Sequence, residues 1–252
     1  MRSHNRVVFR LEDHLDRLLA SATALSIRHA FDRESLTKAI YEVLAANELI
    51  DARLRLTLTS GPVAETNERT EPTLLITATN LQGYPSEYYQ TGVMVVLCPY
   101  RQNTTEPICG HKTTNYYPRL LALTLARQKG AAEALWFTTD NRLAEGCISN
   151  VFLVKDGALY TPSLATPVLA GIARKAVCQI AGDESIELIE KDLRISDMLE
   201  ADEILLTNVV MEVLPVVAVE RHTIGDGKVG PITMRLRERF LQTIEDECRR
   251  EE

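Results

Sequence analysis

Residues 52–61 read ARLRLTLTSG, and no other stretch limits the possible folds of this chain as strongly. Neighbouring strand residues point to opposite faces, so Leu54, Leu56 and Leu58 make one apolar face while Arg53, Arg55, Thr57 and Thr59 make the other. Such a strand needs a cover, and two helices precede it. In the first, Leu11, Leu15, Leu18, Leu19, Ala22 and Leu25 follow helical spacing, with His14, Arg17 and Ser21 on a neighbouring face. The second covers DRESLTKAIYEVLAANEL with Asp32 as its N-cap. A further strand, TLLITATN, completes a first unit of helices on a small antiparallel sheet.

Gly83, Pro85 and Gly92 then break the pattern. The expected organisation is a small N-terminal domain over 1–83, a linker over 84–92 and a larger domain over 93–252. In the larger domain, strands are expected at VMVVLCPY and EALWFT. Asp156-Gly157 reads as the two-residue turn of a hairpin in RLAEGCISNVFLVKDGALYTP. A helix begins near Ile172, strands follow at IELIE, EILLTN and VLPVVAVE, and an amphipathic helix closes the chain from Pro231 to Arg250. Helices and strands mix without regular βαβ alternation, which argues an α+β fold.

Composition removes several classes of function. A net charge of −7 without a long basic run gives no footprint for nucleic acid. Five scattered cysteines without CxxC argue reduced thiols rather than a disulfide framework or a zinc site, so no metal is expected. The N-terminus is too polar for a signal peptide and no apolar run reaches spanning length, so the expectation is a soluble, cytoplasmic protein without a membrane partner. GKS/GKT and HExxH are both absent from the sequence.

Four local features carry chemistry. Lys112 lies just ahead of a helix that begins Tyr116-Tyr117-Pro118. Glu145 ends a strand before a glycine and small residues. The amides of Ile172 and Ala173, at a helix start after Gly171, suit an anion, phosphate above all. Arg17 could complete a phosphate clamp. Each has an ordinary alternative: a solvated lysine, a strand-end acid, a hydrated helix terminus, a surface arginine.

Taken in order, Arg, Lys-Thr-Thr-Asn-Tyr, Ala-Glu-Gly-(x)3-Asn-Val-Phe, Tyr-Thr-Pro and Gly-Ile-x-Arg closely resemble the class IV aminotransferases, the fold-type IV pyridoxal-phosphate enzymes, over nearly the whole chain. That family includes branched-chain aminotransferases, D-amino acid transaminases and 4-amino-4-deoxychorismate lyases. The resemblance implies a two-domain α+β fold, a homodimer and pyridoxal 5'-phosphate as cofactor. It makes Lys112 the residue that forms the internal aldimine and then, as a neutral amine, moves the proton. It pairs Glu145 with the pyridinium nitrogen and Tyr116 with the ring hydroxyl oxygen. Arg17 and the amides of Ile172 and Ala173 would hold the phosphate.

Three departures accompany the resemblance. Relatives carry an upstream segment that lines the substrate pocket, so the N-terminal domain reads as truncated, either through a misassigned start or through a real loss of part of the pocket. The usual Gly-Ile-Thr is Gly-Ile-Ala, and the phosphate-binding Thr or Ser of relatives falls at Val209, so two hydroxyls are missing. A hydrogen bond to a charged group is worth about 1.5–3 kcal/mol. Arg55 matches an arginine that holds the substrate carboxylate in branched-chain enzymes, and an inward-facing strand position permits that; a solvated strand face is the alternative. Thr207-Asn208 before VVMEVLP is closer to the lyases, whereas Asn115-Tyr116 and Arg55 favour the branched-chain enzymes. The reading adopted is an aminotransferase acting on an amino acid and a 2-oxo acid. The lyase acting on aminodeoxychorismate and a non-catalytic cofactor-binding remnant are the alternatives.

Overall fold

The computed structural model describes residues 1–62 and 71–249. The chain divides into two compact units, Met1–Gln82 together with Thr243–Glu252, and Gly83–Gln242.

The first unit opens with a short hairpin, β1 (Ser3–His4) and β2 (Val7–Val8), followed by α1 (Leu11–Ala24) and α2 (Arg33–Ala46). Strands β3 (Ala52–Thr59) and β4 (Thr73–Asn80) pair antiparallel along their full length. Asp32 caps α2: its Oδ1 accepts from the Ser35 amide at 2.8 Å, while Ser35 Oγ accepts from the Asp32 amide. Leu11 and Leu15 of α1, Leu36, Ile40 and Leu44 of α2, and Ala52 and Leu54 of β3 form one core. His14, on the face neighbouring the apolar stripe of α1, is buried as well.

The second unit begins with α3 (Ser86–Thr91), in the stretch expected as a linker. Its Tyr89 is buried, and the hydroxyl donates to the Met211 carbonyl at 3.0 Å. There follow β5 (Val93–Gln102), α4 (Tyr117–Gln128), β6 (Glu133–Thr138), β7 (Leu143–Gly146), β8 (Asn150–Lys155), β9 (Ala158–Pro162) and α5 (Ile172–Asp183). After these come β10 (Leu188–Lys191), α6 (Ile195–Leu199), β11 (Glu203–Asn208), β12 (Glu212–Val219), β13 (His222–Thr223) and α7 (Pro231–Glu247). The end of α7 groups with the first unit, and Arg250, the last residue of the expected helix, lies outside the described residues.

The strands form one mixed sheet in the order β10-β9-β8-β11-β12-β5-β6-β7, with β13 on β12. Hairpins dominate one side, while β12, β5 and β6 run parallel. The central residues of β6, Ala134 to Phe137, are apolar without alternation because both faces of the strand are covered. Ala134 and Trp136 pack with Ala122, Leu123 and Ala126 of α4, whereas Leu135 and Phe137 join Val151, Leu153 and Leu206 on the other side. Asp156 and Gly157, at φ 52° and 81°, make the tight turn between β8 and β9.

Candidate active site

The site in the second unit is built where β7 ends and α4 and α5 begin. Glu145 stands on β7, one residue before its end, and is 5% exposed. Its two oxygens have separate partners. Oε1 accepts from Arg119 Nη2 at 2.6 Å. Oε2 accepts from the Leu169 amide at 3.0 Å and, more weakly, from Asn150 Nδ2 at 3.5 Å. Burial pushes the carboxyl above its ordinary range, and Arg119, the Leu169 amide and Lys112 pull it back towards the charged form.

Lys112 lies exposed in the loop before α4, its Nζ 5.9 Å from the centre of the Tyr116 ring. It is close enough to Glu145 to favour the charged carboxylate electrostatically. Tyr116 is the residue before α4, and Pro118 in the first turn has no amide hydrogen to leave unpaired. The Tyr116 hydroxyl donates to the Cys147 carbonyl at 2.7 Å, so holding a ring oxygen would require it to turn from that carbonyl. Burial raises the Tyr116 phenol above its ordinary range.

Ile172 and Ala173 open α5, and no side chain caps its N-terminus. The first helical amides have no partner within the helix, which suits an anion. Gly171 is required by its surroundings, because a Cβ there would run into Asn150 Oδ1. Asn150 Nδ2 also donates to the Leu169 carbonyl at 2.9 Å, so one side chain links Glu145 to the segment leading into α5. Val209 follows β11 in a turn shaped by Asn208, whose Oδ1 accepts from the amides of Val210 and Met211 and whose Nδ2 donates to the Ile148 carbonyl.

Arg17 and Arg55 belong to the first unit. Arg17 is half-buried on α1, and burial pushes its guanidinium down to about 10. Arg55 is exposed on the face of β3 opposite Ala52 and Leu54. Alternation along the strand fixes that outcome.

Four residues that sequence reasoning left without a role also stand here: Arg119, Asn150, Asn208 and Glu133. Arg119 lies three residues after Tyr116, one helical turn along the same face, and that spacing was the available signal. Glu133 is fully buried on β6. It accepts from Ser149 Oγ at 2.6 Å and from the Ile148 amide at 3.3 Å, which braces the turn after Glu145. Burial pushes its carboxyl up to about 7, against the pull of these donors. The folded protein therefore binds this proton more tightly than the unfolded chain. Its contribution to stability is complete below about 4.5 and is lost as pH rises through about 7. Glu133→Gln is expected to flatten that slope. Urea unfolding at the two ends of the window should show wild type losing at most about 3 kcal/mol relative to the variant; parallel profiles would refute this assignment.

The buried acid with acceptor capacity left, the adjacent amine and the uncapped helix start fit an aromatic nitrogen base bearing an aldehyde and a phosphate. The sequence profile of class IV amino-transferases matches residues 1–219. A Methanocaldococcus jannaschii protein assigned by name to the branched-chain-amino-acid aminotransferases is 31% identical over 244 residues, covering 95% of this chain and 84% of that protein. A D-alanine aminotransferase of Staphylococcus haemolyticus is 29% identical over 254 residues, covering 97% and 86%. The crystal structure of a T.th. branched-chain amino acid aminotransferase with pyridoxamine 5'-phosphate superposes with a TM-score of 0.89 at 27% identity, covering 98% of this chain and 84% of that one. The chain belongs to the class IV aminotransferases. It is an enzyme of the pyridoxal-phosphate type with the fold-type IV architecture. No helix among the described residues is long and apolar enough to cross a membrane.

Proposed function

We propose that this enzyme transfers an amino group between an amino acid and a 2-oxo acid, with Lys112 as the amine that bonds the cofactor and carries the proton. The observation that supports this reading most is the buried Glu145 carboxylate, with one acceptor position on Oε1 left after its partners among the described residues, under the electrostatic influence of Lys112. Bound pyridoxal phosphate supplies an aldehyde that condenses with amines and a ring that withdraws electrons from the carbon losing its proton. The Lys112 Nζ, as a neutral base, would take the proton from the substrate Cα and carry it in the transfer. Glu145 keeps the ring nitrogen protonated. The Tyr116 hydroxyl, which donates to the Cys147 carbonyl in this structure, would hold the ring oxygen. The amides of Ile172 and Ala173 and the turn at Val209 receive the phosphate, with Arg17 as its cation, and Arg55 takes the substrate carboxylate. The working unit is a homodimer.

Purified protein mixed with pyridoxal phosphate is expected to turn yellow, and borohydride followed by peptide mapping should find the cofactor on Lys112. Amino donors should then discharge the colour in a half-reaction. A protein that stays colourless, or labels elsewhere, defeats the reading. The second reading, 4-amino-4-deoxychorismate lyase activity, is favoured by Thr207-Asn208 at the end of β11; pyruvate released from that substrate without an amino acceptor would select it.

A further inference from the structure

Arg119 has no part in the chemistry proposed above, yet it ties several parts of the site together. Its Nη1 donates to the Gly146 carbonyl at 2.8 Å. Its Nη2 donates to Gln102 Oε1 at 2.8 Å and to Glu145 Oε1 at 2.6 Å. The guanidinium carbon lies 5.2 Å from the centre of the Trp136 ring. Gln102 is buried and donates to the Pro167 carbonyl, so the far side of the guanidinium is held as well. One side chain on α4 thus fastens β5, the end of β7 and the segment before α5.

Each carboxylate oxygen has two lone pairs. On Glu145, Oε2 meets Leu169 and Asn150, while Oε1 meets Arg119 and keeps one lone pair. We propose that Arg119 is a positioning residue of the cofactor site: it fixes the direction of the Glu145 carboxylate and keeps it charged, so that the remaining lone pair of Oε1 binds a protonated ring nitrogen. This inference rests on the cofactor role proposed for Glu145.

The energetic argument concerns where one proton sits. Burial favours the neutral acid, which would leave the proton on Glu145 and the ring nitrogen bare. Arg119 touches the carboxylate directly, so it stabilises the charged acid more than it destabilises a cation bonded beyond that acid. The proton is thereby held on the ring nitrogen. The other titratable groups that interact with Glu145 are Lys112 and Cys109 in the loop before α4, and Tyr116 at its start. Arginine suits this place because its planar fork supplies three aimed donors and a stacking face; lysine would supply charge with less direction.

The test uses the full chain reconstituted with pyridoxal phosphate carrying nitrogen-15 in the ring, as wild type, Arg119→Met and Arg119→Lys. The wild-type ring nitrogen is expected at the pyridinium position from neutral pH upward. In Arg119→Met it should move towards the neutral pyridine position, with turnover down about tenfold or more and substrate KM little changed. Arg119→Lys should fall between. A folded Arg119→Met protein whose ring nitrogen stays fully protonated overturns the inference and leaves the cofactor reading intact, whereas a wild type whose ring nitrogen is bare overturns both the inference and the role given to Glu145. Should Arg119→Met not fold, the wild-type spectrum and Arg119→Lys decide by the same signal, and a lysine variant indistinguishable from wild type counts against. A wild type that takes up no cofactor sinks the underlying reading, and this inference with it.

Discussion

Lys112→Ala is expected to give a folded, colourless protein whose turnover is lower by about 10²- to 10⁴-fold or more. Lys112 stands exposed in a loop, and substitutions at such places usually change stability by no more than about 0.5 kcal/mol. The loss should therefore be chemical rather than structural. Thermal unfolding of variant and wild type should coincide, while single-turnover mixing with an amino donor should show no rapid proton transfer. Small amines added to the solution are expected to restore part of the rate, since the missing group is a base of a definite kind. A variant with unchanged turnover would show that another residue carries the proton.

The second large effect is expected at Glu145. Glu145→Gln preserves the shape of the side chain but replaces one acceptor by a donor. If the amide nitrogen takes the Oε2 position, it meets the Leu169 amide and Asn150 Nδ2; if it takes the Oε1 position, it meets Arg119. Either way a donor faces a donor in a buried place, at a cost of about 1–3 kcal/mol. The ring nitrogen loses its charged partner as well, and removing a preorganised electrostatic partner typically costs about 10²–10³ in turnover. Denaturant unfolding without cofactor reads the first effect, and steady-state turnover with saturating cofactor reads the second. A variant that loses stability but keeps full turnover would assign Glu145 a purely architectural role.

The two effects separate because Glu145 is buried among its partners and also carries the cofactor role proposed above, and its position was only half legible in the sequence. The motif around Glu145 placed it at a strand end, where an acid is ordinarily solvated. The cover comes from Leu169, twenty-four positions later in the chain, and no local periodicity reports a contact at that separation. Elements with a full apolar stripe were readable: α1, α2 and α5, and the alternating β3. The segment α3 has only six residues, less than two turns, so its helical spacing could not emerge against the turn signals of Pro85 and Gly92. The parallel run of β12, β5 and β6 joins segments far apart in sequence, and β6 is apolar on both faces, so neither pairing nor orientation was written in its pattern. Arg119 was missed for a related reason: its spacing from Tyr116 was visible, but what that helix face meets depends on where β7 ends.

The smaller unit is discontinuous in the chain. Arg10 and Glu247, which pair at 2.9 Å, are 237 positions apart, with the whole of Gly83–Gln242 between them. The entropy of closing such a loop rises only logarithmically with its length, but contacts of this range are slow to form. A chain still under synthesis therefore lacks the Arg10–Glu247 pair of the smaller unit until Gly83–Gln242 and the residues after it have been made.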